Sequence, residues 1–309
     1  IVLDMNHLNI KAAHTDWEGN LLNPLDFPSI SLLIKDFTYS EYSFGLLNGD
    51  FSRFDDGLRA VNLETQSKSF SVNTNAGWVI DESNNFKQHT YIDGELTSTD
   101  TKETLTELGY QPIIASNDMN IEIDVKWPGG PREDFIEHMQ GSINTRLGAG
   151  QLEEIEPGAG RIFGLLSIVA LPRRLALDFR DVFNKGFGFD EISGSFNISD
   201  GKASTCNFNL TGPAADIGVI GNINLVAMEY DQTAIVSTNY GNTLPIVGAV
   251  VAGPPVAAAL LLFSQVFKKP LQEMAQIYYD VLGTFEVPSI NNSNAQNFAL
   301  SSDRHGCIS

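Results

Sequence analysis

The chain has 309 residues, 42% of them hydrophobic and 18% charged, with a net charge of −19 and a pI near 4.5. The low charged fraction excludes a disordered chain, and the acidic balance excludes nucleic acid as a partner, because phosphate binding needs a basic surface. The acidity is uneven: residues 1–160 carry a net −16 and residues 161–309 a net −3, so the second part offers little repulsion to an anionic membrane surface.

Residues 1–100 read as strands. SISLLIKDFTYS passes through Ile34, Phe37 and Tyr39. GLRAVNLETQSKSFSVNTNAGWVID alternates at Leu58 and Ala60, then at Val61 and Leu63, and later at Phe70, Val72 and Trp78. Asp93-Gly94, between Tyr91 and Leu96, is a hairpin-type dipeptide. Gly and Asn punctuate these runs, which points to an antiparallel meander. TDTKETLTELGY then predicts a short helix near 100–109, with Thr99 or Thr101 as cap, Leu105 and Leu108 on one face and Gly109 at its end. MNIEIDVKW sets Met119, Ile121, Ile123 and Val125 against Asn120, Glu122, Asp124 and Lys126, a period-two pattern with one apolar face. PGGPREDF is a turn with a short helical segment behind it, and GSINTRLGAGQLEEI returns to strand.

GAGRIFGLLSIVAL predicts a short apolar helix near 160–171, ended by Pro172. In EISGSFNISDGKASTCNFNLTGPAADIGVIGNINLV, Phe196 and Ile198 precede an Asp200-Gly201 turn. Cys206, Phe208 and Leu210 follow, then Ile217, Val219, Ile223 and Leu225, so the meander keeps one apolar face. Residues 244–263 are apolar and uncharged, long enough for a membrane span, but Gly253-Pro254-Pro255 divides them into two short helices. Helical character extends to 276, a last strand occupies 277–287, and a polar tail from 291 reads as disordered. The chain thus divides into 1–157, 158–290 and 291–309. Its opening at Ile1, without Met, reads as a piece of a longer protein.

Catalytic patterns are missing. His7, His14, His89, His138 and His305 fall in no metal spacing, and there is no GxSxG elbow or Walker sequence. Gly186 and Gly188 are followed by Glu191 where a dinucleotide fingerprint has a third glycine. The expectation is a protein that is not an enzyme and uses no cofactor and no metal. Cys206 reads as a small apolar residue, and with Cys307 in the tail it makes no disulfide framework. A sheet with one apolar face must cover that face. A second sheet would do so, and so would lipid tails.

Several segments in order carry a resemblance: DWEGNLLNPLDFPSISLLIKDF, TKETLTELGY, GAGRIFGLLSIVALPRRLALDFRDVFNKGFGFDEISGSFNISDG, ADIGVIGNINLV and NTLPIVGAVVAGPPVAAALLLFSQVFKKPL. They resemble the C-terminal region of YhdP-like proteins in the AsmA-like family, over all but residues 291–309. The resemblance implies a mostly β fold with short α-helices, a curled antiparallel sheet forming an apolar groove capped by C-terminal helices. It implies a protein of the Gram-negative periplasm, anchored in the inner membrane, that moves phospholipid toward the outer membrane. Its partners would be phospholipid, the outer-membrane bilayer surface and an envelope protein. On this reading Ile121, Ile123, Val125, Phe196, Ile198, Phe208 and Leu210 line the groove. Val250, Val251, Leu260, Leu261, Leu262 and Phe263, with Lys268 and Lys269 at headgroup level, contact the membrane or plug the groove. The alternative is an envelope assembly or structural protein that binds an outer-membrane protein, for which an exposed strand edge would be the mark.

Overall fold

A computed structural model describes residues 1–10, 22–40, 42–81, 87–131, 134–153, 187–238 and 275–307. The strands are β1 (Val2–Met5), β2 (Leu8–Ile10), β3 (Ile30–Tyr39), β4 (Tyr42–Phe54), β5 (Gly57–Gln66), β6 (Phe70–Asp81), β7 (Lys87–Ser98), β8 (Ile114–Ser116) and β9 (Met119–Pro128). They continue as β10 (Gln140–Leu147), β11 (Gly150–Leu152), β12 (Phe187–Phe189), β13 (Glu191–Ser199), β14 (Lys202–Thr211), β15 (Ala215–Asn224), β16 (Glu229–Thr238), β17 (Ala275–Thr284) and β18 (Pro288–Ser293). The helices are α1 (Thr101–Glu107), α2 (Phe135–His138) and α3 (Ala295–Arg304).

Fifteen strands form one sheet in the order β1-β3-β4-β5-β6-β7-β9-β10-β13-β14-β15-β16-β17-β18, with β2 also on β3. The pairs are antiparallel except that β1 and β2 run parallel to β3. The sheet is open, with β1 and β18 at opposite ends of the path, and its curled inner face is an apolar groove. Fourteen strands at about 4.8 Å spacing make a surface roughly 60 Å long across the strands. A small sheet, β12-β11-β8, packs with α1 into the same apolar core as β9 to β17.

The alternation seen in the sequence becomes strand, interrupted by bulges. The slip between Ala60 and Val61 is a register shift between Ala60 and Leu63 opposite β6, with Asn62 at φ 56. Val61 therefore stands exposed while Ala60 and Leu63 turn inward. A second shift between Thr205 and Phe208 puts one extra residue in β14. Strict alternation would place Cys206 beside Phe208 and Leu210. The bulge instead turns it to the outer face, against Ile220, Ile235 and Tyr278.

Asp93-Gly94 is not a turn. Strand β7 runs straight through it, pairing Asp93 with Asn75 and Asp124. Glycine is required there by a close approach, since a Cβ on Gly94 would lie 2.7 Å from Thr74 Oγ1. Helix α1 is capped by Asp100, whose carboxylate accepts from Glu103 N–H at 3.1 Å, and not by Thr99 or Thr101. Thr101 is buried, donating to the Ile114 carbonyl at 2.7 Å.

The tail is folded where disorder was expected. Residues 288–293 add strand β18, and α3 packs Phe298 and Ala299 on Ile220, Ile235 and Tyr278 of the outer face. Asn294 caps the helix through Asn297 N–H at 2.9 Å. Cys307, after the helix, is disulfide-bonded to Cys206 across 101 residues. This overturns the reading of two unconnected thiols, and the bulge that turns Cys206 outward is the reason. His305 has a buried side chain, its Nε2 4.0 Å from Asp231 Oδ2 and without a hydrogen-bond partner. Desolvation holds its pKa below 6.5, against the pull of Asp231 and with help from Arg304.

The expected helices at 160–171 and 244–276 lie outside the described residues, except that Ala275 and Gln276 open β17. Val250, Val251, Leu260, Leu261, Leu262, Phe263, Lys268 and Lys269 lie outside them as well.

Cys206→Ser should lower unfolding free energy by about 2–4 kcal/mol, because the bond closes a long loop. Denaturant unfolding with and without reductant measures it, and an unchanged midpoint would refute a stabilising role. A second expectation follows from His305. Its folded pKa is depressed, so the unfolded chain binds the proton more readily. Stability should therefore be present above pH 6.5 and decline as pH falls below it. The slope should be shallower in His305→Gln, and parallel pH profiles of the two proteins would contradict it.

Candidate functional site

Residues directly opposite in an antiparallel ladder share a face. Following the register from strand to strand therefore traces continuous lanes across the sheet. One lane passes Ile30, Phe51, Ala60, Ala76, Ile92, Val125 and Gly141. It continues through Ile198, Ala203, Ile223, Tyr230, Gly283 and Pro288. Thirteen strands contribute, and no member is charged. At the other margin a parallel lane runs Phe70, Ser98, Met119, Leu147, Ile192, Leu210, Ile217, Val236 and Ile277. Between them lie Gly94, Ile123, Ile143 and Phe196, and Val72, Leu96, Ile121, Thr145 and Gly194.

The outer face of the same strands is polar. Asn48, Glu64, Asn73, Glu95, Glu122, Asn144 and Ser195 form one lane there. Within it Asn144 Nδ2 donates to Glu122 Oε2 at 3.2 Å, and Asn120 in the neighbouring lane donates to Glu95. The strong negative charge of residues 1–160 is thus partly this outer surface, set against an uncharged inner one.

Burial changes along the inner face. In β3 to β9, Ile30, Leu32, Phe51, Leu63, Val72, Ile92 and Leu96 are half-buried, and so are the expected groove residues Ile121 and Ile123. From β13 onward the same face is closed: Phe196, Ile198, Phe208 and Leu210 are buried, and so are Ile223, Tyr279 and Val281. Val125, of β9, is also buried. All seven expected groove residues thus lie on one face, and Phe196 and Phe208 touch, their rings 5.4 Å apart. Five of the seven are core-like and two, Ile121 and Ile123, are half-buried. Residues of β3 to β7, which sequence reasoning did not single out, share the accessible wall. Their signal was the same alternation, interrupted at Ala60-Val61 and Asp93-Gly94.

The chemistry of this face is shielding. Burial pushes the Tyr230 phenol of this face far above its ordinary range, so it is no acid–base group near neutrality. Among the described residues no cluster of His, Cys, Asp or Glu side chains is placed to hold a metal ion. His7 pairs with Asp36 at 2.9 Å on the exposed surface. No helix among the described residues is long and apolar enough to cross a membrane.

Comparison with known proteins gives one family model, described as YhdP protein, that matches residues 1–290. The Escherichia coli (strain K12) protein named intermembrane phospholipid transporter YhdP is 28% identical over 271 residues, 87% of this chain. The chain spans about a fifth of that relative, 21% of its length. No solved structure matches it.

Truncation should register the gradient of burial. Phe208→Ala should cost about 3–5 kcal/mol in urea unfolding, while Ile123→Ala, half in solvent already, should cost well under that. Equal losses at the two positions would contradict the closed and open halves.

Proposed function

The chain belongs to the YhdP protein family, and from that premise we propose that it is a segment of a phospholipid carrier working between the two membranes of a Gram-negative envelope. The relative's name supports phospholipid as cargo. The observation that carries the reading is the uncharged lane from Ile30 to Pro288, thirteen strands without a fixed charge. At about 60 Å it exceeds the roughly 30 Å hydrocarbon thickness of a bilayer, long enough to hold acyl chains end to end.

A diacyl lipid crossing water bare would expose on the order of 30 methylenes at about 0.8 kcal/mol each, a barrier of some tens of kcal/mol. Acyl chains lying against Ile92, Leu96, Ile121 and Ile123 would be spared much of it, and the headgroup would stay in water. The lipid would move by diffusion along the lane, with no covalent step and no cofactor. Any energy input would come from elsewhere. The closed stretch from Phe196 to Leu210 would then hold the shape of the wall more than touch the cargo. The Cys206–Cys307 disulfide supports a periplasmic location, since such bonds persist in oxidising compartments.

Native mass spectrometry with lipid extraction, on the chain purified without detergent from a Gram-negative host, should find phospholipid in stoichiometric or greater amount. Ile123→Asp should lower that load with the fold intact. A lipid-free monomer would instead favour a closed β-sandwich that binds a protein partner.

A further inference from the structure

The turn 225–228 joins β15 to β16, and the turn 285–287 joins β17 to β18. The two stand side by side, with Phe285 N–H donating to the Met228 carbonyl at 2.9 Å. Their tips are apolar and open to solvent: Val226 is 47%, Met228 54% and Val287 75% exposed. They are held in place by polar anchors. Asn224 Oδ1 accepts from Val226 and Ala227 N–H at 3.1 and 2.9 Å, and Val287 N–H donates to Thr284 Oγ1 at 3.2 Å. The turn between β4 and β5, on the same margin of the sheet, is Asp55-Asp56 and is charged. Apolar tips are therefore not a general habit of this margin.

The patch is continuous with the inner wall. Tyr230 belongs to the uncharged lane and packs its ring on Phe285 at 4.7 Å. Phe285 and Leu225 both pack against the inner core, and each is followed within two residues by an exposed apolar side chain. Apolar packing thus runs from the closed inner core, through Tyr230 and Phe285, out to the exposed tips. Glu229 and Glu286 flank the tips, which disfavours an anionic surface and suits a zwitterionic one.

We propose that these two turns form a bilayer-contact rim, at which Val226, Met228 and Val287 enter the headgroup boundary of a zwitterionic lipid surface. The inference rests on the lipid-carrier reading and adds to it a place of membrane contact.

The test is flotation of the 309-residue chain with phosphatidylcholine vesicles and, separately, with phosphatidylglycerol vesicles. Wild type should float with phosphatidylcholine, and a Val226→Asp/Val287→Asp variant should bind at least about tenfold more weakly, since interfacial affinity scales with buried apolar area. Met228→Trp should show an emission blue-shift on the same vesicles. Circular dichroism checks that the variants fold. Vesicle binding that the double substitution leaves unchanged overturns the rim, as does binding to phosphatidylglycerol alone. Self-association that the substitution abolishes, without vesicle binding, also overturns it and makes the patch a contact between copies. Lipid content of the same preparations separates the two readings. Bound phospholipid without vesicle binding removes the rim and leaves the carrier, whereas tip-dependent vesicle binding by a lipid-free chain removes the carrier and leaves the rim.

Discussion

Everything in this molecule depends on one face of a long sheet staying apolar from strand to strand. A one-residue slip in any pairing would turn a whole strand's hydrophobic set to the wrong side. Twelve successive pairings preserve the lane from Ile30 to Pro288. Two shifts in strand phase, after Ala60 and after Thr205, are absorbed as bulges that restore the register beyond them. The bulges are what allow an imperfectly alternating sequence to keep an unbroken wall.

The two halves of the wall meet different ends. In β3 to β9 the inner face mixes buried residues such as Ile34, Ala60 and Val125 with half-buried ones such as Ile92, Leu96, Ile121 and Ile123, and the outer face is mostly polar, so the apolar side is the one that calls for an occupant. In β15 to β17 both faces are apolar. The inner side joins the main core, and the outer side is covered by α3, which the disulfide ties to β14. A sheet apolar on both faces needs a cover on each, and the C-terminal strap supplies the outer one. The helix of that strap lies beyond residues 1–290, which the family model matches.

Much of the architecture was legible. Period-two alternation at Met119, Ile121, Ile123 and Val125 requires a strand with one dry face, and the structure has it. The Asp200-Gly201 turn is where its dipeptide says, with both residues at positive φ. Asp93-Gly94 carries the same local signal and is mid-strand, because pairing on both sides outweighs a dipeptide preference. Its glycine answers to Thr74 across the ladder, a neighbour twenty residues away in the chain that no local window contains.

The sequence by itself determined the class of fold, the apolar face and the lack of a catalytic pattern, because alternation and composition are local quantities. Tertiary structure alone decided how much of that face is accessible, since Ile123 and Phe208 have the same alternation but different covers. It also decided the pairing of Cys206 with Cys307. The side of the sheet on which a cysteine stands depends on a bulge, and a bulge is defined only against the strand it faces.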